Sequence, residues 1–218
     1  MIEIAIDGTA ASGKGTLAKN LSEVYGYPHL DTGLMYRAVA YNVLSCGYEI
    51  HQDLNTLSCK VANELNWVEL TPQKLRSEKI ASMASKIATF SELRNILKFK
   101  QIEFANESKH RFGGCILDGR DIGTVILPNA NYKFFITASI EVRAARRMLE
   151  KNITYLHEKD DECMLQTLIN DMYERDKLDM SRSSSPLKAS KDARVIDTSN
   201  IDANELTSLV IKIIEGKN

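Results

Sequence analysis

The chain has 218 residues, with 28 Lys and Arg against 29 Asp and Glu, so its formal net charge is -1. That length suits one compact domain, or one domain with a sizeable insertion, and it is enough to bury a core. Because the charges balance, the protein as a whole is not attracted electrostatically to a nucleic-acid backbone or an anionic membrane. Any phosphate binding must therefore depend on a local cluster of residues. The composition, 44% hydrophobic and 26% charged, is that of a globular protein.

Cysteine spacing and the N-terminal sequence predict the cellular compartment of the protein. The four cysteines are far apart and form neither a CxxC pair nor a zinc pattern, which predicts a reduced chain with packed thiols; they are Cys46, Cys59, Cys115 and Cys163. The opening MIEIAIDG lacks the basic region of a signal peptide, and no apolar run approaches the ~20 residues of a membrane helix. We therefore expect a cytoplasmic protein with no membrane partner.

The chain opens on a strand, a glycine loop and a helix. Residues 2–7 read IEIAID, a short β-branched run typical of a buried parallel strand, and helical spacing follows from about Gly13 to a terminating Gly26. Three further strands are predicted at residues 114–118, 132–137 and 194–197, each followed by a helix or loop. This alternation predicts an α/β fold.

Residues 8–16 read GTAASGKGT, which fits the phosphate-loop pattern G-x-x-x-x-G-K between a strand and a helix. Glycines let the backbone N–H groups point inward, the helix N-terminus adds positive potential, and Lys14 reaches the outer phosphates. Thr16 lies two residues after the lysine and is the candidate to support Mg²⁺. The predicted ATP-binding residues are Gly8, Thr9, Ala10, Ala11, Ser12, Gly13, Lys14, Gly15 and Thr16.

Two later motifs place charged side chains beside strand ends. Residues 29–37, HLDTGLMYR, predict a short strand and then a helix capped by Asp31 or Thr32. By itself this motif is more typical of ordinary packing plus a surface charge than of a binding site. Residues 117–124, LDGRDIGT, carry charges to the carboxyl end of a strand, where doubly wound folds bind ligands. An ion-paired surface turn is the alternative.

A third motif follows at residues 173–182, YERDKLDMSR. Arg175, Asp179 and Arg182 are spaced i, i+4 and i+7, so they share one helix face. A solvated, salt-bridged face is the ordinary interpretation of such a run. In a chain that also has a phosphate loop, the same pattern indicates a second function, binding of the transferred phosphate, because phosphoryl transfer needs mobile cations over that phosphate.

Together these motifs resemble the nucleoside monophosphate kinases, and among them the bacterial-type cytidylate kinases. The resemblance covers nearly the whole chain and rests on IAIDGTAASGKGTLAKNL, LDTGLMYRA, ASKIATFSELR, LDGRDIGTV, ITAS-x-E-x-R-x-x-RR and ERDKLDMSR. It implies a parallel five-stranded core with helices on both faces, a monophosphate-binding insertion and a helical lid. We expect the core at residues 1–36, 112–147 and 192–218, the insertion at 37–111 and the lid at 148–191. Residues 67–79 form a shorter stretch than the corresponding part of many bacterial cytidylate kinases, in which extra strands decorate the insertion, so the architecture of the insertion is expected to differ here.

The resemblance also implies the reaction and its residues. ATP with Mg²⁺ would donate its γ-phosphate to CMP or dCMP. The implied acceptor site consists of Thr32, Tyr36, Arg37, Ser85, Arg94, Arg120, Asp121, Asp179 and Arg182. Within it, Ser85, Arg94 and Asp121 would contact cytosine, Arg120 the phosphate and Asp179 the sugar. The implied catalytic residues are Lys14, Arg120, Arg175 and Arg182, of which Arg175 and Arg182 would close on the sugar or phosphates.

The implied pair of Asp121 and Arg94 suits cytosine chemically. Cytosine offers an amine donor beside two ring acceptors, so a carboxylate and a guanidinium complement it. Uracil would place a carbonyl against the carboxylate, at a cost of about 1–3 kcal/mol. We therefore expect UMP to be a poor substrate.

Two other functions stay open from the sequence. One is a different P-loop kinase, for uridylate, adenylate or shikimate, which would show the same dependence on ATP with another acceptor. The other is a P-loop nucleotide switch that controls a partner, although the chain has no N/T-K-x-D guanine-binding motif. We expect a monomer whose partners are small molecules and not nucleic acid.

Overall fold

The computed structural model describes residues 1–47, 53–65, 72–75, 77–150, 158–182 and 184–216. Five strands alternate with helices along the chain. The strands are β1 (Ile2–Gly8), β2 (His29–Asp31), β3 (Gly114–Gly119), β4 (Tyr132–Thr137) and β5 (Arg194–Asp197). The helices are α1 (Lys14–Tyr25), α2 (Thr32–Ser45), α3 (Leu54–Glu64), α4 (Glu78–Ile87), α5 (Ser91–Phe112), α6 (Ile140–Glu150), α7 (Glu158–Ser181) and α8 (Ala203–Ile214).

The strands form one sheet in the order β2-β3-β1-β4-β5. Strand β1 runs parallel to both β3 and β4, so that Ile4 pairs with Ile116 on one side and Tyr132 on the other. Strand β5 continues the parallel arrangement beside β4. The predicted α/β fold is confirmed, and the carboxyl ends of β1 and β3 lie side by side.

Residues 1–29 and 108–218 form one compact unit. Its core packs β1, β3 and β4 against α1 and α8, and its large fully buried side chains are apolar. They include Ile4, Ile6, Leu17, Leu21, Ile116, Phe134 and Ile136. Burying a side chain of this kind contributes about 1.5–3 kcal/mol, so this core holds the central strand in place.

Residues 30–107 form a second compact unit, made of helices around their own apolar core. That core includes Met35, Val39, Val43, Leu54, Ile80, Ile87, Leu93 and Leu97. In the sequence, residues 79–105 have an apolar pattern with helical periodicity, but the chain forms two helices there, α4 and α5, and Phe90 N–H between them donates to the carbonyl oxygen of Ile87. Of the stretch 67–79, residues 67–71 and 76 lie outside the described part.

The cysteines do not all behave as predicted. Cys115 is buried in β3, and burial raises the pKa of its thiol to about 12, which makes it inert. Cys46 and Cys163 are exposed, so the expectation that every thiol is packed was wrong. Within the described segments, no helix has the length and apolar character needed to cross a membrane.

Candidate active site

The phosphate loop begins where β1 ends. A Cβ on Gly8 would lie 2.0 Å from the carbonyl oxygen of Ile136 in the neighbouring strand, so only glycine fits there. Gly13 has φ 94°, a left-handed conformation that L side chains avoid, and it immediately precedes Lys14, the first residue of α1. These two glycines let the chain leave the sheet and enter a helix within a few residues.

The loop is held from behind by hydrogen bonds. Ser12 is fully buried, and its hydroxyl donates to the carbonyl oxygen of Thr9 at 3.0 Å. Thr198, after β5, donates from its hydroxyl to the carbonyl oxygen of Ser12 at 2.9 Å, and Arg146 donates to the Thr198 hydroxyl at 2.9 Å. Buried polar groups paired in this way favour one loop conformation before any ligand binds.

Two oxygen-bearing side chains lie at the start of α1. Thr16 is exposed, so its hydroxyl can be reached by a ligand. A carboxylate oxygen of Asp118, near the end of β3, lies 3.9 Å from the position that a Cβ would take on Gly15. The other carboxylate oxygen of Asp118 is 2.7 Å from Nε2 of His29, which fixes the orientation of the carboxylate. Hydroxyl and carboxylate oxygens are ligands that suit Mg²⁺.

The turn after β3 is held by a residue of β1. The Asp7 carboxylate accepts hydrogen bonds from Ile122 N–H and Gly123 N–H, each at 2.7 Å and each on a different oxygen. Asp7 is 4% exposed. Burial raises the pKa of its carboxyl to about 6, and the nearby Asp121 carboxylate raises it further, while the two N–H groups and Arg120 act in the opposite direction.

The raised pKa of Asp7 predicts a pH dependence of stability. The native carboxyl binds its proton more tightly than the unfolded one, so its stabilising contribution is present below pH 3.8 and is lost as the pH rises through about 6. An Asp7→Asn variant lacks this titration. We expect the free energy of unfolding of the parent to fall by about 3 kcal/mol relative to the variant across that window. Urea unfolding at several pH values measures the difference, and a difference that does not change with pH would contradict the prediction.

Three predicted site residues meet at the end of α7. Asp179 accepts a hydrogen bond from Nε of Arg120 at 2.9 Å on one oxygen and pairs with Arg182 through the other. The Asp179 side chain is 3% exposed. Burial alone would raise the pKa of this carboxyl, but Arg120 and Arg182 outweigh burial and hold the pKa below its usual value. Arg175 adds to the positive potential at Asp179.

Helix α7 is also joined to the phosphate loop. Arg143 of α6 lies 2.7 Å from the Asp176 carboxylate, and the same guanidinium donates to the carbonyl oxygen of Ala10 at 3.4 Å. Both charged side chains are buried. Ala11 of the loop packs against the apolar cluster that joins α6 to α7. Removing one partner of such a buried ion pair lowers the free energy of unfolding by about 3–5 kcal/mol. The Arg143–Asp176 pair therefore stabilises the packing of α7 beside the phosphate loop.

The second unit contains the other predicted acceptor residues. The guanidinium of Arg94 lies 5.7 Å from the ring centre of Tyr36, over its face, and one of its N–H groups donates to the carbonyl oxygen of Ala88 at 3.2 Å. Arg37 donates to the carbonyl oxygen of Leu75 at 3.0 Å. The Ser85 hydroxyl is buried and, among the described residues, has no hydrogen-bond partner.

Helix α2 starts as predicted. Asp31 is its N-cap and accepts a hydrogen bond from Leu34 N–H at 3.3 Å, which settles the alternative between Asp31 and Thr32 as the capping residue. Thr32 is buried at the first helical position. This short cap places Tyr36 and Arg37 one turn into the helix.

Comparison with known proteins decides the family. The family model for cytidylate kinase matches residues 4–216. The chain belongs to the cytidylate kinase family. Cytidylate kinases from Methylocella silvestris and Xanthobacter autotrophicus are each 42% identical to this chain, over 98% of its length and over 94% and 97% of their own. An uncharacterized protein from Eubacterium ventriosum shares the fold, with TM-score 0.55, 18% identity and 99% coverage of both chains.

Membership in the cytidylate kinase family confirms several predictions. The chain is a phosphotransferase that uses ATP, and its acceptor is CMP or dCMP. The sequence resemblance to this family is confirmed across nearly the whole chain. Uridylate, adenylate and shikimate kinases, and a nucleotide switch, were the alternatives, and the family match favours none of them.

Some residues beside the site were not predicted. Asp7 and Asp118 end otherwise apolar strands, which is the signal that could have singled them out. Arg143 lies in a motif that carried the family resemblance, but nothing in its spacing indicates a pairing with Asp176. In the first unit the structure brings together Arg120, Asp179 and Arg182.

Proposed function

We propose that residues 8–16 bind Mg²⁺-ATP. We further propose that the acceptor and the transferred phosphate are bound by a cluster of four charged residues: Arg120, Arg175, Asp179 and Arg182. The observation that carries this proposal is the buried network of Asp179 with Arg120 and Arg182, in the same compact unit as the phosphate loop. A carboxylate that holds two guanidinium groups keeps cations ready for a phosphorylated ligand. An ATPase with no second substrate would have no need for this arrangement.

On the donor side, backbone N–H groups of the loop and the Lys14 ammonium would hold the phosphates of ATP. The donor set for Mg²⁺ fits, since Thr16 is accessible and a carboxylate oxygen of Asp118 lies beside the loop. Mg²⁺ would neutralise charge on the transferred phosphate. His29 would keep the Asp118 carboxylate in its orientation through their 2.7 Å contact.

On the acceptor side, Arg94, Ser85 and Asp121 would bind the cytosine ring. The buried Ser85 hydroxyl supports this, because a buried polar atom without a partner among the described residues fits a ligand that supplies one. The planar guanidinium of Arg94 is already held over Tyr36 and against the Ala88 carbonyl. Thr32, Tyr36 and Arg37 would complete the acceptor site.

The transfer step would need positioning and charge neutralisation only. The acceptor phosphate oxygen is already anionic, so no general base has to remove a proton from it. Lys14, Arg120, Arg175 and Arg182 would offset the charge on the transferred group while its bond to ADP breaks and the bond to the acceptor forms. Closure of the α7 segment over the substrates would exclude water and limit wasteful hydrolysis of ATP.

The test is ADP release in a coupled assay with Mg²⁺-ATP and CMP, dCMP, UMP, AMP, GMP or shikimate. We expect turnover mainly with CMP and dCMP. Strong turnover with UMP or AMP would overturn the assignment of Arg94, Ser85 and Asp121 to cytosine. ADP release that does not depend on any acceptor would contradict the assignment of the arginine cluster.

Replacing Asp121 should separate the two substrates. Asp121→Ala removes the carboxylate assigned to the exocyclic amine, so we expect the KM for CMP to rise about tenfold or more while the KM for ATP changes little. Initial rates with each substrate varied in turn measure both constants. Asp171→Asn, an exposed carboxylate on α7, is the control. Equal effects of Asp121→Ala on the two KM values would contradict a base-binding role.

We also propose a cytoplasmic, monomeric enzyme whose only partners are its nucleotide substrates. The balanced charge supports the exclusion of nucleic acid, because counterion release needs a basic surface. Light scattering at micromolar concentration, with and without the substrates, tests the monomer.

A further inference from the structure

We infer that Asp7 is a positioning residue for acceptor binding: from the strand that leads into the phosphate loop, its carboxylate holds the turn that carries Arg120 and Asp121. The importance of this role for catalysis rests on the proposed function, in which that turn binds CMP. Asp7 itself touches neither substrate in this scheme.

The contact is bidentate and long-range. Each carboxylate oxygen of Asp7 accepts one backbone N–H at 2.7 Å, from Ile122 and from Gly123, across 115 and 116 residues of sequence. Residues Ile122–Ile126 form a π-helical turn in which Ile126 N–H and Val125 N–H both donate to the carbonyl oxygen of Asp121. The first N–H groups of a helical turn have no partner within the turn, and Asp7 supplies one for two of them.

Both sides of this contact are fixed. On one side, Gly8 follows Asp7 and pairs with Ile136 of β4, so this end of β1 is held in the sheet. On the other side, a Cβ on Gly123 would lie 3.4 Å from the Asp7 carboxylate and 3.4 Å from the Lys133 side chain. The turn therefore packs directly on the carboxylate, and its place depends on the charge and shape of that group.

The ordinary alternative is that Asp7 only stabilises the fold. A buried ionised carboxylate is expensive, and the pKa of Asp7 is raised because burial disfavours the charge. Neutral acceptors could accept hydrogen bonds from the two N–H groups at a lower desolvation free energy than a carboxylate. What a carboxylate provides is two equivalent acceptor oxygens in one rigid plane, which fixes the direction of both N–H groups.

The first test compares Asp7→Asn with the parent. Asparagine keeps the size but turns one acceptor oxygen into an NH₂ group, which would face an N–H. We expect the Kd for CMP, measured by calorimetry, to rise about tenfold, and the Kd for ATP to change less than about twofold. The ratio of kcat/KM for CMP over UMP should fall, because a displaced turn discriminates the base less well.

A second variant tests the same inference in case Asp7→Asn fails to fold. Gly123→Ala keeps the Asp7 carboxylate but places a methyl group 3.4 Å from it and 3.4 Å from the Lys133 side chain, at the limit of ordinary van der Waals contact. It should weaken CMP binding in the same direction, with ATP binding kept. The control is Glu3→Gln, which removes another carboxylate of β1, the partner of Lys109 at 2.6 Å, at the end of the strand remote from the turn. It should leave both Kd values unchanged.

A spectroscopic readout separates this inference from the proposed function. An N–H that donates to a carboxylate resonates downfield, so the amide protons of Ile122 and Gly123 should move upfield in Asp7→Asn. If they move and Asp121→Ala leaves CMP binding unchanged, Asp7 positions the turn but the assignment of the turn to CMP is wrong. If Asp121→Ala weakens CMP binding while Asp7→Asn and Gly123→Ala do not, the inference about Asp7 is overturned.

Discussion

Lys14→Met is expected to abolish turnover and to leave the fold intact. The lysine is the first residue of α1 and follows the left-handed Gly13, so its ammonium belongs to the loop that would hold the phosphates of ATP. Removing one preorganised charge from a site of developing negative charge costs on the order of 10³-fold in kcat. Methionine has nearly the same helix propensity as lysine, so α1 should form as before.

The matched control for Lys14→Met is Lys19→Met on the same helix. Lys19 is exposed and pairs with Glu23 at 3.9 Å, a surface contact worth less than about 1 kcal/mol. The Lys19→Met variant should retain full turnover. Circular dichroism should show the same melting curve for both variants and the parent. Substantial turnover by Lys14→Met in the coupled assay would contradict the role of the loop.

The phosphate loop and most of the sheet could be predicted because their signals are local. Glycines, a lysine and the flanking strand and helix are contiguous in the sequence, and the β4 and β5 boundaries match the predicted ones. The cap of α2 is equally local, since the Asp31 side chain reaches an N–H only three residues away. Such features depend on backbone geometry within one turn, which the residue types themselves determine.

Contacts between distant segments could not be predicted in the same way. Asp7 reaches Ile122 across 115 residues, and nothing in the spacing of either motif indicates the partner. The pairing of Arg143 with Asp176 is of the same kind. The face shared by Arg175, Asp179 and Arg182 was predicted from helical spacing, but the partner that fixes Asp179 from outside the helix, Arg120, follows only from the packing of α7.

Helix periodicity has the opposite weakness, because it shows that residues are helical but not where a helix breaks. Residues 79–105 carry one continuous apolar pattern, yet the chain forms α4 and α5 with a turn between them. In that turn the Thr89 hydroxyl donates to the carbonyl oxygen of Lys86, which competes with the helical bond. This break lies between Ser85 and Arg94, which the family resemblance assigns to the same base.

Asp179→Ala should combine a large loss of stability with a large loss of activity. The change leaves Arg120 and Arg182 close together without their shared carboxylate, in a place where their side chains are 15% and 8% exposed. Breaking a buried ion pair in this way costs about 3–5 kcal/mol of unfolding free energy. We expect kcat/KM for CMP to fall about 100-fold or more, because the cations proposed to meet the phosphates lose their orientation.

Asp179→Asn distinguishes charge from shape in this network. The pKa of Asp179 is held below its usual value of 3.8, so the stabilising contribution of the carboxylate is present at neutral pH and is lost only as the pH falls through that lowered pKa. At pH 7 the asparagine variant should therefore unfold at a lower urea concentration than the parent, whereas Asp171→Asn on the exposed face of α7 should not. If Asp179→Asn matches the parent in both unfolding and kcat/KM, the two arginines do not need the charge, and the network would then be held by packing alone.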